Sequence, residues 1–558
     1  MTKQCRQCSK SFKLEQWDLD FYQRIAVPQP SLCPDCRQQR RLTYRNERKL
    51  YQDQCDLCQR QMISLYSTDS PYTVYCQDCW WSDRWNPLDY ARDYNPTRSF
   101  FEQWHELQLA VPRIALFNLH STNSEYTNHS VRNKNCYMGV AMGECEDSLY
   151  GHWVLKSKNC VDNLYCEQCE LCYECSYCRN CFQTFWSQYC EAANDCLFCF
   201  ECSDIQNCLG CVQLQHKQYY ILNRPASAEE FADTKQKLLT HPEFRAKFIV
   251  QWEALKFKAP RRFDLQIHCE QSTGNDLYHC RNAKFCFNCR NLDNAKYMFD
   301  LGDNKDSMDA YEHGWLVPSE LIYEAHAGMA GYNLKFCNIC ADSRDLQYCD
   351  CCFQGSSNLF GCIGLKKSQY CILNKPYSEM EYHQLEKKII EQMRTAGEYG
   401  EFFPIRYAPF AYNESAAPEY FPCTPEQVTA LGGRWQVEDR KQYKVQTYRV
   451  LSDSTLVSDD ILQALLACTQ CQKNYRINQA ELKFYRQTGV PIPDRCSDCR
   501  HLNRMQLRNP RQLWQRQCMC TQTDHAHHGR CSVEFETTFS PERKELVYCE
   551  QCYQKEVY

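Results

Sequence analysis

The stretch FYQRIAVPQPSLCPDCR, residues 21–37, has a counterpart in FYRQTGVPIPDRCSDCR, residues 484–500. Both share an aromatic pair, two spaced prolines and a CxxCR ending, and they lie 463 positions apart. The same offset relates four pairs of cysteines: Cys5 and Cys468, Cys8 and Cys471, Cys33 and Cys496, and Cys36 and Cys499. The two ends of this 558-residue chain are therefore copies of each other.

The CxxC pairs at both ends predict zinc sites. Tetrahedral zinc takes thiolates at about 2.3 Å, and a two-residue spacer lets one turn direct two sulfurs at one ion. Taken in order, the cysteines form two sets of four at each end, which predicts about four structural Zn²⁺ ions. The predicted ligands are Cys5, Cys8, Cys33, Cys36, Cys55, Cys58, Cys76, Cys79, Cys468, Cys471, Cys496, Cys499, Cys518, Cys520, Cys549 and Cys552. In the last set an insertion of about ten residues brings further candidates, and these stay open as substitutes: His525, His527, His528 and Cys531.

A wider pattern surrounds these cysteines. It consists of CxxC, an aromatic residue four positions on (Phe12 and Tyr475), FY, two spaced prolines and CxxCR. This pattern resembles the zinc-ribbon domain found in many uncharacterised bacterial proteins. The resemblance covers the two ends, about one third of the chain. It implies bound zinc and a small ribbon or treble-clef-like fold, and it implies no particular activity.

An arginine-rich segment follows the second CxxC pair. CRQQRRLTYRNERKLY, residues 36–51, predicts a helix with arginines and a tyrosine on one face. In the second copy Pro510 is expected to end the helix early. Because arginine forks match phosphate oxygens and tyrosine stacks on bases, this face is predicted to contact RNA, possibly ribosomal, or an acidic protein. A solvated face, or pairing with the protein's own carboxylates, is the alternative. The predicted contacts are Arg37, Arg40, Arg41, Tyr44, Arg45, Arg48, Arg500, Arg504, Arg508 and Arg511.

Two cysteine-rich arrays occupy the middle of the chain. GCVQLQHKQYYILNRP (210–225) returns as GCIGLKKSQYCILNKP (361–376), and each copy precedes a helix-like segment. All fifteen cysteines from Cys136 to Cys211 are separated by multiples of three residues, a spacing that would wind around a 3.6-residue helix. The spacing predicts β-solenoid-like arrays with coils of twelve or fifteen residues and asparagine at tight corners before cysteine. Four cysteines of the second array lie outside this register: Cys269, Cys351, Cys362 and Cys371.

The array thiols have three possible roles, which are an inward ladder of small hydrophobes, metal clusters and disulfides. The predicted fold class is multidomain, mostly β and irregular. Its predicted segments are tandem zinc ribbons (1–95), a first array (115–225), a helical segment (226–258), a second array (262–376), a helix (377–398), a linker with a small element (399–460) and tandem zinc ribbons (461–558).

Composition narrows the function. The 44 cysteines and an N-terminal segment without an apolar core favour a cytoplasmic protein with no membrane span, and the net charge of -5 argues against bulk coating of nucleic acid. No P-loop, nucleophile elbow or HExxH motif occurs, so an enzyme is disfavoured. We interpret the chain as a non-enzymatic, zinc-stabilised scaffold or binding protein, with a homodimer also compatible. The alternative is a metal-storage or thiol redox-buffer protein.

Overall fold

The computed structural model describes residues 1–162, 182–314, 317–437 and 443–557. The chain divides into two compact units, each built from two separate segments. Unit 1 comprises Met1–Phe117 and Asp264–Val437, and unit 2 comprises Asn118–Phe263 and Glu438–Tyr558. The N-terminal cysteine-rich end therefore belongs with the second array, and the C-terminal end with the first. The densest cysteine row, Cys166 to Cys181, lies outside the described residues.

The described ranges contain twelve α-helices. Those of unit 1 are Gln16–Arg24, Pro34–Leu42, Gln77–Trp81, Phe100–Ala110, Glu379–Thr395, Ala417–Tyr420 and Pro425–Ala430. Those of unit 2 are Ala228–Thr240, Pro242–Lys258, Gln479–Thr488, Ser497–Gln506 and Glu550–Val557. Ser227 and Ser378 cap the helices that follow the two arrays, because each hydroxyl accepts a hydrogen bond from a backbone N–H of the first turn. Short 3₁₀ helices cover Pro87–Tyr90, Ile405–Tyr407, Tyr412–Glu414, Ser454–Leu456 and Asp459–Leu462.

Strands dominate both units. Those of unit 1 are Thr2–Gln4, Ser11–Lys13, Tyr51–Gln54, Gln61–Ser64, Val74–Tyr75, Arg113–Ile114, Gln266–Ile267, Gly274–Tyr278, Arg281–Lys284, Cys286–His313, Ser319–Gly328, Gly331–Lys335, Ser343–Gln347, Ser356–Phe360, Gln369–Ile372 and Lys375–Pro376. Those of unit 2 are Asn118–Leu119, Ser130–Val131, Val140–Gly143, His152–Leu155, Phe182–Phe185, Glu191–Leu197, Ser203–Leu209, Gln215–Ile221, Arg224–Pro225, Arg261–Arg262, Leu466–Ala467, Asn474–Tyr475, Trp514–Gln517, Glu534–Thr537 and Val547–Tyr548.

Most neighbouring strands of the arrays pair in parallel. In the first array the parallel pairs of described strands have a step of 12 residues, as in His152 with Val140 and Ser203 with Gln215. The second array keeps this step over most of its length. The step changes to 11, 15 and 13 residues at three places: Gln266 with Leu277, Asn304 with Ser319, and Ser343 with Ser356. Of the two coil lengths left open by the sequence, twelve matches most of the described pairs, and fifteen occurs where Asn304 pairs with Ser319.

The backbone of the arrays has a three-residue period. A left-handed φ near +50° recurs at every third residue, without a break from His129 to Asp162 and from Asp276 to Glu312. Asn135, Asn159 and Asn207 hold such positions, and Asn180 lies outside the described residues. In the arrays most residues that follow a left-handed position point inward, whereas Lys217 is exposed. In the second array these inward residues include Leu277, Cys280, Ala283, Cys286, Cys289, Leu292, Ala295, Met298 and Leu301, all buried.

This backbone explains the cysteine spacing. Among the described array cysteines, each except Cys351 follows a left-handed residue, including Cys269, Cys362 and Cys371. These three cysteines have the same backbone position as the others. Their residue numbers are no longer separated from the others by multiples of three, because a step of 11 or 13 residues replaces a step of 12 between them. Cys351 is itself a left-handed residue. The three-residue backbone period therefore includes more of the cysteines of the second array than the sequence register indicated.

The buried thiols donate hydrogen bonds to backbone carbonyls. Cys289 Sγ lies 3.3 Å from the Phe287 carbonyl and 3.4 Å from that of Met298, nine residues on, and Cys337 repeats this pattern. Burial raises the pKa of Cys136 to about 11 and that of Cys286 to about 12, so these two thiols stay protonated at neutral pH. No helix in the part of the chain that the structure describes is long and apolar enough to cross a membrane.

Candidate metal centres

Four groups of four thiols lie at the two ends of the chain. In each group the sulfur atoms are all within 4.8 Å of one another. The groups are Cys5, Cys8, Cys33 and Cys36; Cys55, Cys58, Cys76 and Cys79; Cys468, Cys471, Cys496 and Cys499; and Cys518, Cys531, Cys549 and Cys552. None of the described cysteines forms a disulfide. Each group could hold a metal ion.

The sulfur separations fit tetrahedral zinc. Thiolates at about 2.3 Å from a tetrahedral ion lie about 3.8 Å from each other. Sγ–Sγ distances across the groups are 3.7 Å for Cys8 and Cys33, and 3.8 Å for Cys58 and Cys76. In unit 2 they are 3.6 Å for Cys471 and Cys496 and 4.0 Å for Cys531 and Cys549. A disulfide would need about 2.05 Å.

Three of the groups begin with the same turn. After the second cysteine of the CxxC pair comes a left-handed residue, Ser9, Gln59 or Gln472, with φ of 59°, 61° and 64°. Its N–H donates to the carbonyl of the first cysteine, at 2.9 Å from Ser9 to Cys5. The turn therefore directs both sulfurs of a pair to one point, as the sequence predicted for a two-residue spacer.

The second pair in these groups starts a helix. Cys33, Cys76 and Cys496 are the N-cap residues of their helices, where the helix dipole favours a thiolate. A hydrogen bond from the Cys36 thiol lowers the pKa of Cys33 to about 5, while that interaction raises the pKa of Cys36. One thiolate is therefore present at neutral pH before any metal binds, and a bound cation would displace the remaining protons.

The fourth group contains Cys531, whereas the sequence interpretation placed Cys520 there. Cys531 precedes Cys549 by 18 residues, the spacing that separates Cys58 from Cys76. This spacing identifies Cys531 as the second copy of Cys58, with the insertion lying before it. Cys549 N–H also donates to Cys518 Sγ at 3.2 Å, as Cys76 N–H does to Cys55 Sγ. Counting backward from the last CxxC pair selects Cys531 among the candidates that the sequence left open.

The arginine segment lies inside its unit. The helix ends at Leu42, where the Thr43 hydroxyl donates to the Arg40 carbonyl, so the remaining arginines of the first copy follow in turns. In the second copy the helix ends at Gln506, four residues before Pro510. The buried members of the predicted contact set are Arg37, Arg40, Arg41, Tyr44, Arg45, Arg500 and Arg504, and the half-buried ones are Arg48, Arg508 and Arg511.

Each unit places one array aspartate between two arginines. In unit 1, Asp309 lies 2.8 Å from Arg37 and 3.4 Å from Arg41. In unit 2, Asp162 lies 2.6 Å from Arg500 and 3.3 Å from Arg504, which are the copies of the same two arginines. All six side chains are almost fully buried. We call this arrangement the aspartate clamp.

Unit 1 adds further pairs around its clamp. Arg40 lies 3.0 Å from both Glu324 and Glu401, and Arg45 pairs with Glu312. Burial would raise the pKa of Glu401, but the Arg40 and Arg6 guanidinium groups and a hydrogen bond from Ser31 together lower that pKa to about 2. The predicted external contacts are thus not supported by these positions, which instead match the alternative of pairing with the protein's own carboxylates.

The segment 303–313 of the second array contains four acidic residues and one histidine. Asp309 and Glu312 are occupied by arginines, as described above. His313 is buried, and burial lowers its pKa to about 4. Asp303 and Asp306 accept hydrogen bonds from Asn291 and Asn294, each twelve residues earlier. These side chains stabilise successive steps of the array.

Comparison with protein families and with curated proteins gives no match for this chain. The resemblance to zinc ribbons therefore rests on the motifs and on the four-thiol groups at both ends of the chain.

Proposed function

We propose that the protein is a non-enzymatic, zinc-stabilised scaffold in which each end is a pair of zinc ribbons fastened to one β-solenoid array. The observation that carries the proposal is the coincidence, in both units, of two four-thiol groups with an aspartate clamp. Zinc compensates for the small hydrophobic core of a ribbon. The clamp then fixes the ribbon on the array, because arginine left without its partner would be a buried, uncompensated charge.

The solenoid part of the proposal is supported by the backbone. Parallel pairing at a step of twelve residues, with a left-handed residue at every third position, fits a coil of four short sides. Inward side chains then stack between coils, and thiols serve as small hydrophobes. Such arrays suit a rigid platform, since each step contacts only its neighbours.

Because the arginines are buried, charge-reversal substitutions at these positions do not give a clean test of partner binding. A swap of Arg41 or Arg45 to glutamate would break ion pairs inside unit 1 and so could not report on RNA binding alone. The scaffold proposal therefore does not depend on the RNA, acidic protein or second copy suggested by the sequence. The free thiols fit a reducing compartment, which supports a cytoplasmic location.

Metal analysis of the native full-length protein tests the proposal. We expect zinc at about one ion per four-thiol group, and Cys33→Ser should remove one ion and raise hydrogen exchange in residues 1–50. The matched control is Cys423→Ser, a half-buried cysteine outside the four groups, which should keep every ion. Protein purified without bound metal would overturn the proposal. Eight or more ions per chain would favour the storage alternative.

A further inference from the structure

A second cluster of metal-binding side chains lies beside the fourth thiol group. The donor atoms of Cys520, His525, His527 and Cys552 all lie within 4.8 Å of one another. Cys520 Sγ is 3.1 Å from His525 Nδ1, and Cys552 Sγ is 3.4 Å from His527 Nε2. Cys520, His525 and Cys552 are buried, and His527 is half-buried.

The cluster comes from the insertion that distinguishes this end of the chain. The hairpin Tyr51–Gln54 and Gln61–Ser64 encloses six residues, whereas the hairpin Trp514–Gln517 and Glu534–Thr537 encloses sixteen. Three of the four donors lie in the added segment. Only Cys552 belongs to the ribbon itself, and it is also a member of the four-thiol group.

Both imidazoles have an oxygen atom near their second ring nitrogen. His527 Nδ1 lies 2.9 Å from the Gly529 carbonyl, so this nitrogen donates its proton and Nε2 faces Cys552 as a free electron pair. His525 Nε2 lies 3.7 Å from the Glu556 carboxylate, while Nδ1 faces Cys520. A carboxylate or carbonyl behind the far ring nitrogen is the usual support of a metal-bound histidine, because it fixes the tautomer and the ring orientation.

We propose that this end of the protein holds two divalent ions of the zinc class, with the Cys552 thiolate bridging them. One ion takes Cys518, Cys531 and Cys549, and the other takes Cys520, His525 and His527. Each ion then has four ligands, and a mixed sulfur and imidazole set with this geometry selects zinc among common divalent metals. The five thiolates carry five negative charges, one more than the four positive charges of two divalent ions.

This inference rests on the proposal that the four-thiol groups bind zinc, and the two can fail separately. Elemental analysis of the native full-length protein should find five zinc ions per chain. His527→Gln and Cys520→Ser should each lower the count to four, whereas His528→Gln, at an exposed neighbour in the same insertion, should keep five. Cys552→Ser should remove two ions, because both lose a ligand.

Cobalt substitution gives a readout that does not depend on counting. Two Co²⁺ ions joined by a thiolate couple magnetically, so the electron paramagnetic resonance signal per cobalt should rise when His527→Gln removes one partner. Hydrogen exchange in unit 1 provides the folding control, since no residue of the cluster lies there. Four ions in the native protein, with no loss in His527→Gln, would overturn the bridged pair and leave the scaffold proposal intact. Protein without metal would overturn both.

Discussion

Unit 1 and unit 2 share a clamp and differ in what surrounds it. Both place an array aspartate between two arginines that lie four positions apart after the second CxxC pair. Unit 1 adds Arg40, whose position in unit 2 is held by Asn503. Unit 2 instead carries the histidine-containing insertion. Both copies thus have a buried joint between a four-thiol end and its array.

The largest expected effect comes from removing one ribbon pair. A chain ending at residue 437 keeps all of unit 1 but leaves the first array without Arg500 and Arg504. Hydrogen exchange measured by mass spectrometry should then show lost protection in 118–162 and 182–225, with unit 1 unchanged.

The reciprocal chain, starting at residue 118, provides the control. It should lose protection in the second array and keep it in the first. Equal protection of the first array in full-length and shortened chains would contradict the pairing of the C-terminal ribbons with that array.

Neutralising one clamp should destabilise one unit. Asp309→Asn and Asp162→Asn each remove a buried carboxylate that pairs with two buried arginines, and we expect a cost of about 3–5 kcal/mol in the free energy of unfolding. Urea unfolding followed by hydrogen exchange should assign the loss to unit 1 for the first variant and unit 2 for the second.

Exposed aspartates serve as controls for the clamp. Asp93→Asn in unit 1 and Asp233→Asn in unit 2 remove surface ion pairs with lysine, which contribute about 0–1 kcal/mol. Clamp variants as mild as these two would show that the aspartate does not join ribbon to array.

Much of the candidate sites could be predicted from the sequence because local spacing determines them. Three of the four thiol groups follow from their CxxC pairs, because a CxxC turn needs only a left-handed residue after it. The offset of 463 residues relates two of these groups to each other. Counted from the N-terminal side, across the insertion, the register favoured Cys520, and Cys531 stayed among the substitutes. The spacing of the array cysteines predicted a repeating backbone because a period of three is local as well, and it left an inward thiol ladder as one of three possible roles.

Burial of the arginines could not be predicted in the same way. An arginine-rich face can bind a phosphate, a partner protein or a carboxylate of the same chain. Which of these it contacts depends on segments that are distant in sequence. Arg37 meets Asp309 across 272 residues of chain. Both arrays offer acidic residues, so the sequence alone does not rank one array over the other as the partner of the N-terminal ribbons. Each end belongs to the same unit as the array that lies farther from it in sequence. This pairing depends on tertiary contacts, which local sequence patterns do not determine.

Glycines at matching positions of the two arrays provide a smaller test. Gly210 and Gly361 both have φ near +65°, and a Cβ on either would lie 2.7 Å from a phenylalanine ring, Phe248 or Phe100. Alanine at either position should cost about 2–4 kcal/mol, combining left-handed strain with overpacking. Gly355→Ala, at φ +78° with open space around its Cβ, should cost only the strain of about 1 kcal/mol. Thermal unfolding compares the three, and equal shifts would exclude the ring contact as a contributor.

The smallest expected effect comes from replacing one array cysteine by serine. This substitution tests whether the array thiols are buried small side chains or metal ligands. Ser187 lies twelve residues before Cys199, and its hydroxyl donates to the Phe185 carbonyl as Cys199 Sγ does to that of Leu197. Serine therefore fits the lattice, and Cys199→Ser should change the free energy of unfolding by less than about 1 kcal/mol with no loss of metal. Cys499→Ser, in a four-thiol group of the same unit, should remove one zinc ion. Loss of metal from Cys199→Ser would instead place the array thiols among the ligands, since a hydroxyl binds zinc far more weakly than a thiolate.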